Sequence, residues 1–510
     1  VFAGGELDHY LRTLQNVGAA GSYPWSIRGF SPLEVRDLGV GERHHPWAGR
    51  FTTAPAGEGR LEYGLLRPRG TMTYNSAFPY GRNSGPAWEG RGVTTTVRLG
   101  GYVRYGPLSL VVAPVGFRAE NRDFELAPAA AGRRGAFRSP VNPHQIDLPQ
   151  RFGADTYSRV DPGFSTLRLD GAGVTAGVST AAQQWGPGQV HPMVLGANAG
   201  GFSHAFVGTR RPVNVGIGRF HARYMAGRLE QSEYSPLTGD RARRVGSGFA
   251  LVFQPRGLEG LEVGTTRFLH RFWPEDGLKR DDILGALQTF RKRKIPDADR
   301  FPDSQFASVF ARWNFPDAGF EFFGEYVRVD NSWTFRTFLL EPDDQAGYAL
   351  GLRRVWEGED GTLTAFRGEV LTSGSGHRER GGARVAEAFR ARPIYHHHQI
   401  LQGHTHRGQL LATPVGLNGT GSIMGLDRYG PDGRWTVEWE RLVIRDRSLR
   451  APTSDAPDAD VMFVLGAEVV RFRGPVDLEA GVRAVYNKNR NLQEDAFNLS
   501  LRVGATVVVR

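Results

Sequence analysis

The stretch from Phe497 to Arg510 sets the tightest limit on what this chain can fold into. Phe497, Leu499, Leu501, Val503, Ala505, Val507 and Val509 take every second position, and Asn498, Ser500, Arg502, Thr506 and Arg510 fall between them. Alternation of this kind makes a strand with one apolar and one polar face, not a helix. Such an apolar face is hidden by a second protein layer or by lipid, and a chain that ends on one long two-faced strand can use it to close a barrel in a membrane.

The same alternation recurs upstream. Val93, Thr95, Val97 and Leu99 form one set, Trp435, Val437 and Trp439 another, and Val476, Leu478, Ala480 and Val482 a third. On this criterion strands fall near 67–76, 88–105, 107–120, 163–170, 172–180, 201–211, 213–228, 246–255, 258–269, 304–315, 318–330, 345–356, 361–374, 419–429, 433–446, 459–472, 475–488 and 496–510. That makes about 18, an even number as in bacterial barrels. Every second connection is tight and most are rich in Gly, Pro or Asp, as at Gly106-Pro107, Asp170-Gly171, Arg211-Pro212, Arg256-Gly257 and Gly474-Pro475. Those between run longer, for example 121–162, 270–303 and 375–418. A membrane barrel has tight periplasmic turns and longer outside loops, whereas a soluble sandwich has no reason to alternate in this way. The expected fold is therefore all-β, a transmembrane antiparallel β-barrel.

Composition agrees with this. A mean hydropathy of -0.37 speaks against transmembrane helices, but only alternate residues of a barrel meet lipid. With no Cys there is no disulfide framework and no thiolate chemistry, as suits an oxidising compartment. The start at Val1 without Met is expected of a cleaved precursor.

Residues 1–60 read differently. Leu7, Leu11 and Leu14 have helical spacing, and Ser31-Pro32-Leu33-Glu34 is a capping box that opens a second short helix toward Gly39. The expected division is an N-terminal periplasmic helical segment at 1–60 and a barrel at 61–510. In the loop 270–303, Ile283, Leu284, Leu287 and Phe290 mark an amphipathic helix that ends in Arg291-Lys292-Arg293-Lys294.

The net charge of +10 makes a polyanionic partner plausible. A sharper signal is Gln183-Gln184-Trp185-Gly186-Pro187-Gly188 at the start of a long loop. Gly and Pro fix a turn there, and an indole beside an amide suits stacking on a sugar ring; packing inside the loop is the alternative. This motif, the Trp25-Ser26 stretch before the second helix, and the late loop from Tyr395 through His404 to Pro414-Val415-Gly416 together resemble the Wzi-type outer-membrane capsule-assembly proteins. The resemblance implies an eighteen-stranded barrel with periplasmic helices, closed outside by loops and helices. It further implies a lectin, not an enzyme, that attaches capsular polysaccharide to the cell surface. One departure is the end of the chain, Val509-Arg510, where barrel proteins commonly carry an aromatic residue.

The glycan-binding candidates are Gln184, Trp185, Gly186, Pro187, His396, His404, His406 and Arg407. Gly403-His404-Thr405-His406 is also similar to the last metal-binding motif of calcineurin-type metallophosphoesterases. The other motifs that fold needs are missing, apart from a lone Gly239-Asp240, and no carboxylate or thiolate lies at ligand spacing. No structural metal and no cofactor are expected; the histidines could bind zinc adventitiously, or serve as neutral donors and pH-sensitive cations toward uronate groups. On the polar strand faces Glu321, Glu325, Glu438, Glu440, Asp477 and Glu479 stand against Arg434, Arg483 and Arg502, a mixture that suits a salt-bridge network filling the lumen. Two of these carboxylates could also be a glycosidase acid and nucleophile, but no spacing signature marks such a pair. The expected partners are capsular or other surface polysaccharide, outer-membrane lipid and lipopolysaccharide, and the barrel-assembly machinery, for a monomer that binds no nucleic acid. The rival expectations are a porin or channel and a membrane-embedded hydrolase.

Overall fold

The computed structural model describes residues 2–29, 34, 45–48, 50, 61–127, 135–139, 146–237, 239–288, 303–329, 336, 339, 342, 345–375, 394–416, 419–446 and 459–508. The helix expected after Ser31 (apart from Glu34), the basic run Arg291 to Lys294 and the terminal Val509-Arg510 lie outside them.

The strands close into one antiparallel barrel. Its first four staves are each broken once: β1 (Leu61–Leu65 and Arg69–Asn75), β2 (Gly92–Arg98 and Gly101–Tyr105), β3 (Leu108–Val112 and Val115–Ala119) and β4 (Tyr157–Asp161 and Thr166–Gly171). Then follow β5 (Val174–Ser179), β6 (Ser203–Thr209), β7 (Gly218–Glu230), β8 (Arg243–Pro255), β9 (Leu261–Phe272), β10 (Asp303–Phe315) and β11 (Phe320–Val329). The last seven are β12 (Ala346–Glu357), β13 (Leu363–Ser375), β14 (Thr420–Gly430), β15 (Gly433–Asp446), β16 (Ala459–Arg473), β17 (Val476–Lys488) and β18 (Ala496–Val507). β18 closes on β1 with Ser500 opposite Asn75 and Thr506 opposite Arg69. All eighteen staves overlap the stretches the alternation gives, but Leu61–Leu65 lies outside 67–76, and Tyr157–Asp161 lies in the stretch 121–162 expected to be loop.

The breaks have a local cause. Pro68, Pro114 and Pro162 donate no hydrogen bond to a neighbour, and a Cβ on Gly100 would fall 2.2 Å from the Val112 carbonyl oxygen. One turn also differs from the sequence reading. The turn expected at Arg211-Pro212 instead lies at 215–217, where Gly216 has φ +84 and its N–H donates to Asn214 Oδ1 at 2.9 Å.

The face that points outward is apolar. In β18, Phe497, Leu501, Val503 and Val507 are exposed, while Asn498 and Ser500 are buried on the lumen side. Tyr63, Tyr105, Trp356, Trp435, Trp439, Tyr486 and Phe497 add aromatic side chains to the exposed wall. An apolar outer wall carrying aromatics around a charged interior belongs to a barrel in lipid. Among the described residues no helix is long and apolar enough to cross a membrane.

Candidate functional site

The interior is filled from the short-turn end by the N-terminus. Leu11 and Leu14 are buried and Leu7 is half-buried on α1 (Glu6–Asn16), whose first turn carries Glu6 and Asp8 in the sense the helix dipole favours. Tyr10, Leu11 and Leu14 pack with Trp25, Trp47, Leu363 and Tyr429. The polar side of α1 is fastened to the wall. Arg12 pairs with Glu321, and Asn16 Nδ2 donates to Glu321 Oε2 at 3.0 Å. Arg312 then bridges Glu321 and Glu262 at 2.5 Å each, and Glu262 accepts the Trp25 backbone N–H at 3.0 Å. Residues 2–29 therefore lie inside the barrel and fold as part of it.

The Gln-Trp-Gly-Pro-Gly motif joins this plug to the first inward loop. Ile27 pairs with Trp185 and Arg28 with Gln184 as a two-residue antiparallel bridge. Gly186 has φ +84, and a Cβ there would lie 2.7 Å from Glu325 Oε2, so the tight turn expected at Gly186 does need glycine. The display of Trp185 to a sugar is corrected: its indole is fully buried, packed with Ile27, Phe268 and Met225. An indole in the apolar centre of the inward loops offers no ring face. Gln184, Gly186 and Pro187 are buried with it; Gln184 Nε2 donates to the Gln189 carbonyl at 3.1 Å, and the Pro187 carbonyl accepts from Arg12 at 2.7 Å.

The late loop closes the interior from the other side. His404 is buried against Phe268, Phe306 and Tyr395 and donates from Nε2 to the Val194 carbonyl at 2.7 Å. Burial pushes its pKa down to about 3; the bond to Val194 opposes that shift and the Arg244 charge adds to it. His406 is likewise neutral, its pKa lowered by burial, and its Nδ1 accepts the Glu230 N–H at 3.1 Å. Neither is the surface cation expected of it, because both sit away from water. Arg407 ties the loop to the rim through Glu230 and Asp161, each at 2.8 Å, while His396 is half-buried. Among the described residues no three His, Asp or Glu side chains converge as metal ligands.

The His404 shift predicts a pH dependence. Between pH 6.5 and about 3 the unfolded chain takes up a proton that the folded chain refuses. This contribution is complete above pH 6.5 and is lost as pH falls, by up to about 1.4 kcal/mol per pH unit. Thermal unfolding in detergent should show a smaller loss between pH 7 and pH 5 for His404→Gln than for the parent.

Of the nine lumen charges singled out, eight make ion pairs. Glu438 accepts from Arg82 at 2.9 Å and from Arg367 and Arg483 at 3.1 Å, and Arg82 also meets Glu440 at 2.9 Å. Arg434 joins Glu6, Asp427 and Glu468; Glu479 pairs with Arg69 and Arg502; Asp477 pairs with Arg50. Glu325 differs: it makes no ion pair among the described residues and lies under Gly186. Beside this network the plug leaves a polar cavity of about 270 Å³.

At the long-loop rim four loops bring aromatic rings and arginines together. Arg490 lies 4.7 Å from the Phe78 ring centre and 5.7 Å from that of Phe124; Arg151 lies 5.9 Å from Phe124 and 5.5 Å from Phe137. These are cation–π distances. Phe137 meets Tyr234 edge-on at 6.2 Å. Phe124, Phe137, Tyr234 and Arg490 are only half-buried, so ring and guanidinium surface stays open. The loop carrying Arg490 is strained, with φ of 52 at Asn489, 59 at Asn491 and 64 at Leu492. It is held by Asp495, which accepts the Asn489 N–H at 2.9 Å, and by Asp460, which accepts that of Asn491 at 2.8 Å. Arg490 itself donates to the Glu125 carbonyl at 2.9 Å and makes no ion pair among the described residues. Sequence reasoning missed this rim because its members are spread over four loops. The local signal was Asn-Arg-Asn in a short connection together with Phe124 and Phe137 beside arginines.

No protein-family model and no curated protein matches the sequence. Among solved structures, Wzi of Escherichia coli, an outer-membrane protein involved in group 1 capsule assembly and a carbohydrate-binding β-barrel, is similar with a TM-score of 0.60 and 12% identity over 99% of this chain and 98% of its own. OccAB2 of Acinetobacter baumannii (TM-score 0.38, 9% identity, 86% of this chain and 97% of its own) and OccK5 of Pseudomonas aeruginosa (0.41, 10%, 88% and 98%) are more distant. In fold, this chain is a closed antiparallel β-barrel similar to that of Wzi.

Proposed function

We propose that the protein is a surface lectin of the outer membrane that binds and anchors an acidic capsular or exopolysaccharide, and that it is not an enzyme. In this reading the short turns and the plug face the periplasm and the long loops face outward. The protein is a monomer, inserted by the barrel-assembly machinery and solvated by membrane lipid and lipopolysaccharide. The observation that carries it is the rim in which Arg490, Phe124 and Phe137 stay half-open around the buried Phe78 and Arg151, above a lumen filled with paired charges. Aromatic faces suit the apolar side of a sugar ring, and a guanidinium without a carboxylate partner suits a uronate. The net charge of +10 favours the same polymers, and weak contacts repeated along a chain add up to avidity. The likeness to Wzi supports a carbohydrate ligand in kind. A porin needs an open path, whereas here residues 2–29 and the loop around His404 occupy the interior.

The test is a glycan array on detergent-purified protein. Acidic polysaccharides should be retained over neutral ones, and raising the salt from about 0.05 to 0.5 M should weaken retention as exposed charges are screened. Binding that ignores ionic strength, or that prefers neutral glycans, would contradict the role given to the arginines.

A further inference from the structure

The outer wall is not uniform. Ser179, the last residue of β5, pairs with Thr166 of β4, but β4 continues upward to Tyr157 with only β3 beside it. The wall therefore steps down sharply between β4 and β5. A second feature stands on the far side of this step. On β9, Glu262, Phe268 and His270 face the lumen, so Arg267, Leu269 and Arg271 face outward. The chain after β9 folds down over them: the Ser247 hydroxyl accepts the Ala286 N–H at 3.1 Å, Arg267 donates to the Ala286 carbonyl at 3.0 Å, and Tyr224 donates to that of Ile283.

Between the step and this folded-down segment lies an apolar groove of about 650 Å³ on the membrane side of the barrel. Ala205 and Ala226 form its floor, with Leu167 and Val178 along one bank and Trp273 and Ile283 along the other. The small floor residues leave space where Leu501 and Val503 project on the opposite wall. One cation lines it near the upper end of β7. Arg228, which also lines the groove, pairs with Glu230 at 2.8 Å, yet its side chain is 41% exposed. Arg280, two residues beyond Leu278 of the groove, is exposed and makes no ion pair among the described residues.

We propose that this groove holds an acyl chain of an anionic membrane lipid, with the lipid phosphate at Arg228 and Arg280. An ordinary stretch of barrel wall is convex and meets lipid as a solvent. A concave apolar channel with a cation at one end fixes a single chain and selects its headgroup. The groove is independent of the glycan rim, and either reading can fail without the other.

Trp273 supplies the readout. The full-length protein in mixed micelles is titrated with phosphatidylglycerol brominated on its acyl chains, and the signal of Trp273→Phe is subtracted, which removes Trp356, Trp435 and Trp439 on the open wall. Quenching of Trp273 should saturate, and Ala226→Phe, which fills the floor from the lipid side, should abolish the saturable part. Arg228→Gln and Arg280→Gln should each raise the half-saturation for phosphatidylglycerol roughly fivefold and leave brominated phosphatidylcholine unchanged. Val437→Phe, on the wall at β15, serves as the control and should change nothing. Quenching that rises linearly with bromolipid and is the same in Ala226→Phe would reduce the groove to bulk lipid contact and overturn the proposal. Equal affinity for the two headgroups would overturn the role of the arginines.

Discussion

Glu321→Ala should loosen the plug more than any other single substitution. Glu321 is fully buried and accepts from Arg12, Asn16 and Arg312, two of them on α1 and one on the wall. Its removal leaves the Arg12 guanidinium buried without its carboxylate and Arg312 with Glu262 alone, a type of change that costs about 3–5 kcal/mol. The loss is concentrated where α1 meets β10 and β11, so the N-terminus should detach before the barrel opens. Limited proteolysis should cut within residues 2–29 at a rate at which the parent is untouched, and planar-bilayer recordings should turn from silence to intermittent conductance. Glu325, on the same face of β11 but without an ion pair, supplies the contrast. Glu325→Gln keeps the shape, and should leave the plug protease-resistant. A protease-resistant plug in Glu321→Ala, or equal sensitivity in both variants, would mean that the ion pairs of Glu321 do not hold the helix.

The second large effect concerns binding. Phe124 lies between Arg490 and Arg151, so Phe124→Ala removes a half-open ring from the rim, while Arg151 stays held by Asp123 and the Asn121 and Ala154 carbonyls. Arg490→Ala removes the guanidinium that has no carboxylate partner among the described residues. Each should weaken binding of an acidic polysaccharide by roughly tenfold, and the pair by considerably more on a polymer that makes the contact repeatedly. Arg490→Ala should leave thermal unfolding within about 1 kcal/mol of the parent, whereas Phe124→Ala, whose ring packs against the apolar core, should cost about 1–3 kcal/mol. Trp185→Ala should do the reverse. It empties a buried indole site and costs about 3–5 kcal/mol of stability, while the folded fraction binds as the parent does. Binding lost in Trp185→Ala with stability unchanged would return the motif to the role its sequence first suggests.

The contrast between these two sites marks what the sequence makes legible. Alternation in β18 and the tight turns of Gly, Pro and Asp are written within ten or fifteen residues, so the barrel, its strand positions and its lipid-facing side can be read directly. The need for glycine at Gly186 is local in the same way. Burial is not local. Arg12 and Glu321 are 309 residues apart, and nothing near Trp185 says that Ile27 and Arg28 will pair across it. A Trp held by a tight turn looks the same whether it points to water or to a packed interior. The lumen charges fall between these cases: their inward direction follows from alternation, but which acid meets which arginine depends on register between strands. The rim is the least legible part, since Phe78, Phe124, Phe137, Tyr234 and Arg490 meet only once the barrel has closed and set four loops side by side.

Hydroxyl-radical footprinting of the protein with and without a bound acidic polysaccharide tests the central claim most directly, because it reports where on the molecule the polymer lies. Protection should appear at Phe124, Phe137, Tyr234 and the segment around Arg490, and should disappear in the Phe124→Ala, Arg490→Ala double variant. Protection confined to Phe2 through His9 and the polar cavity, with the rim equally reactive in both states, would place the ligand in the lumen and contradict the account.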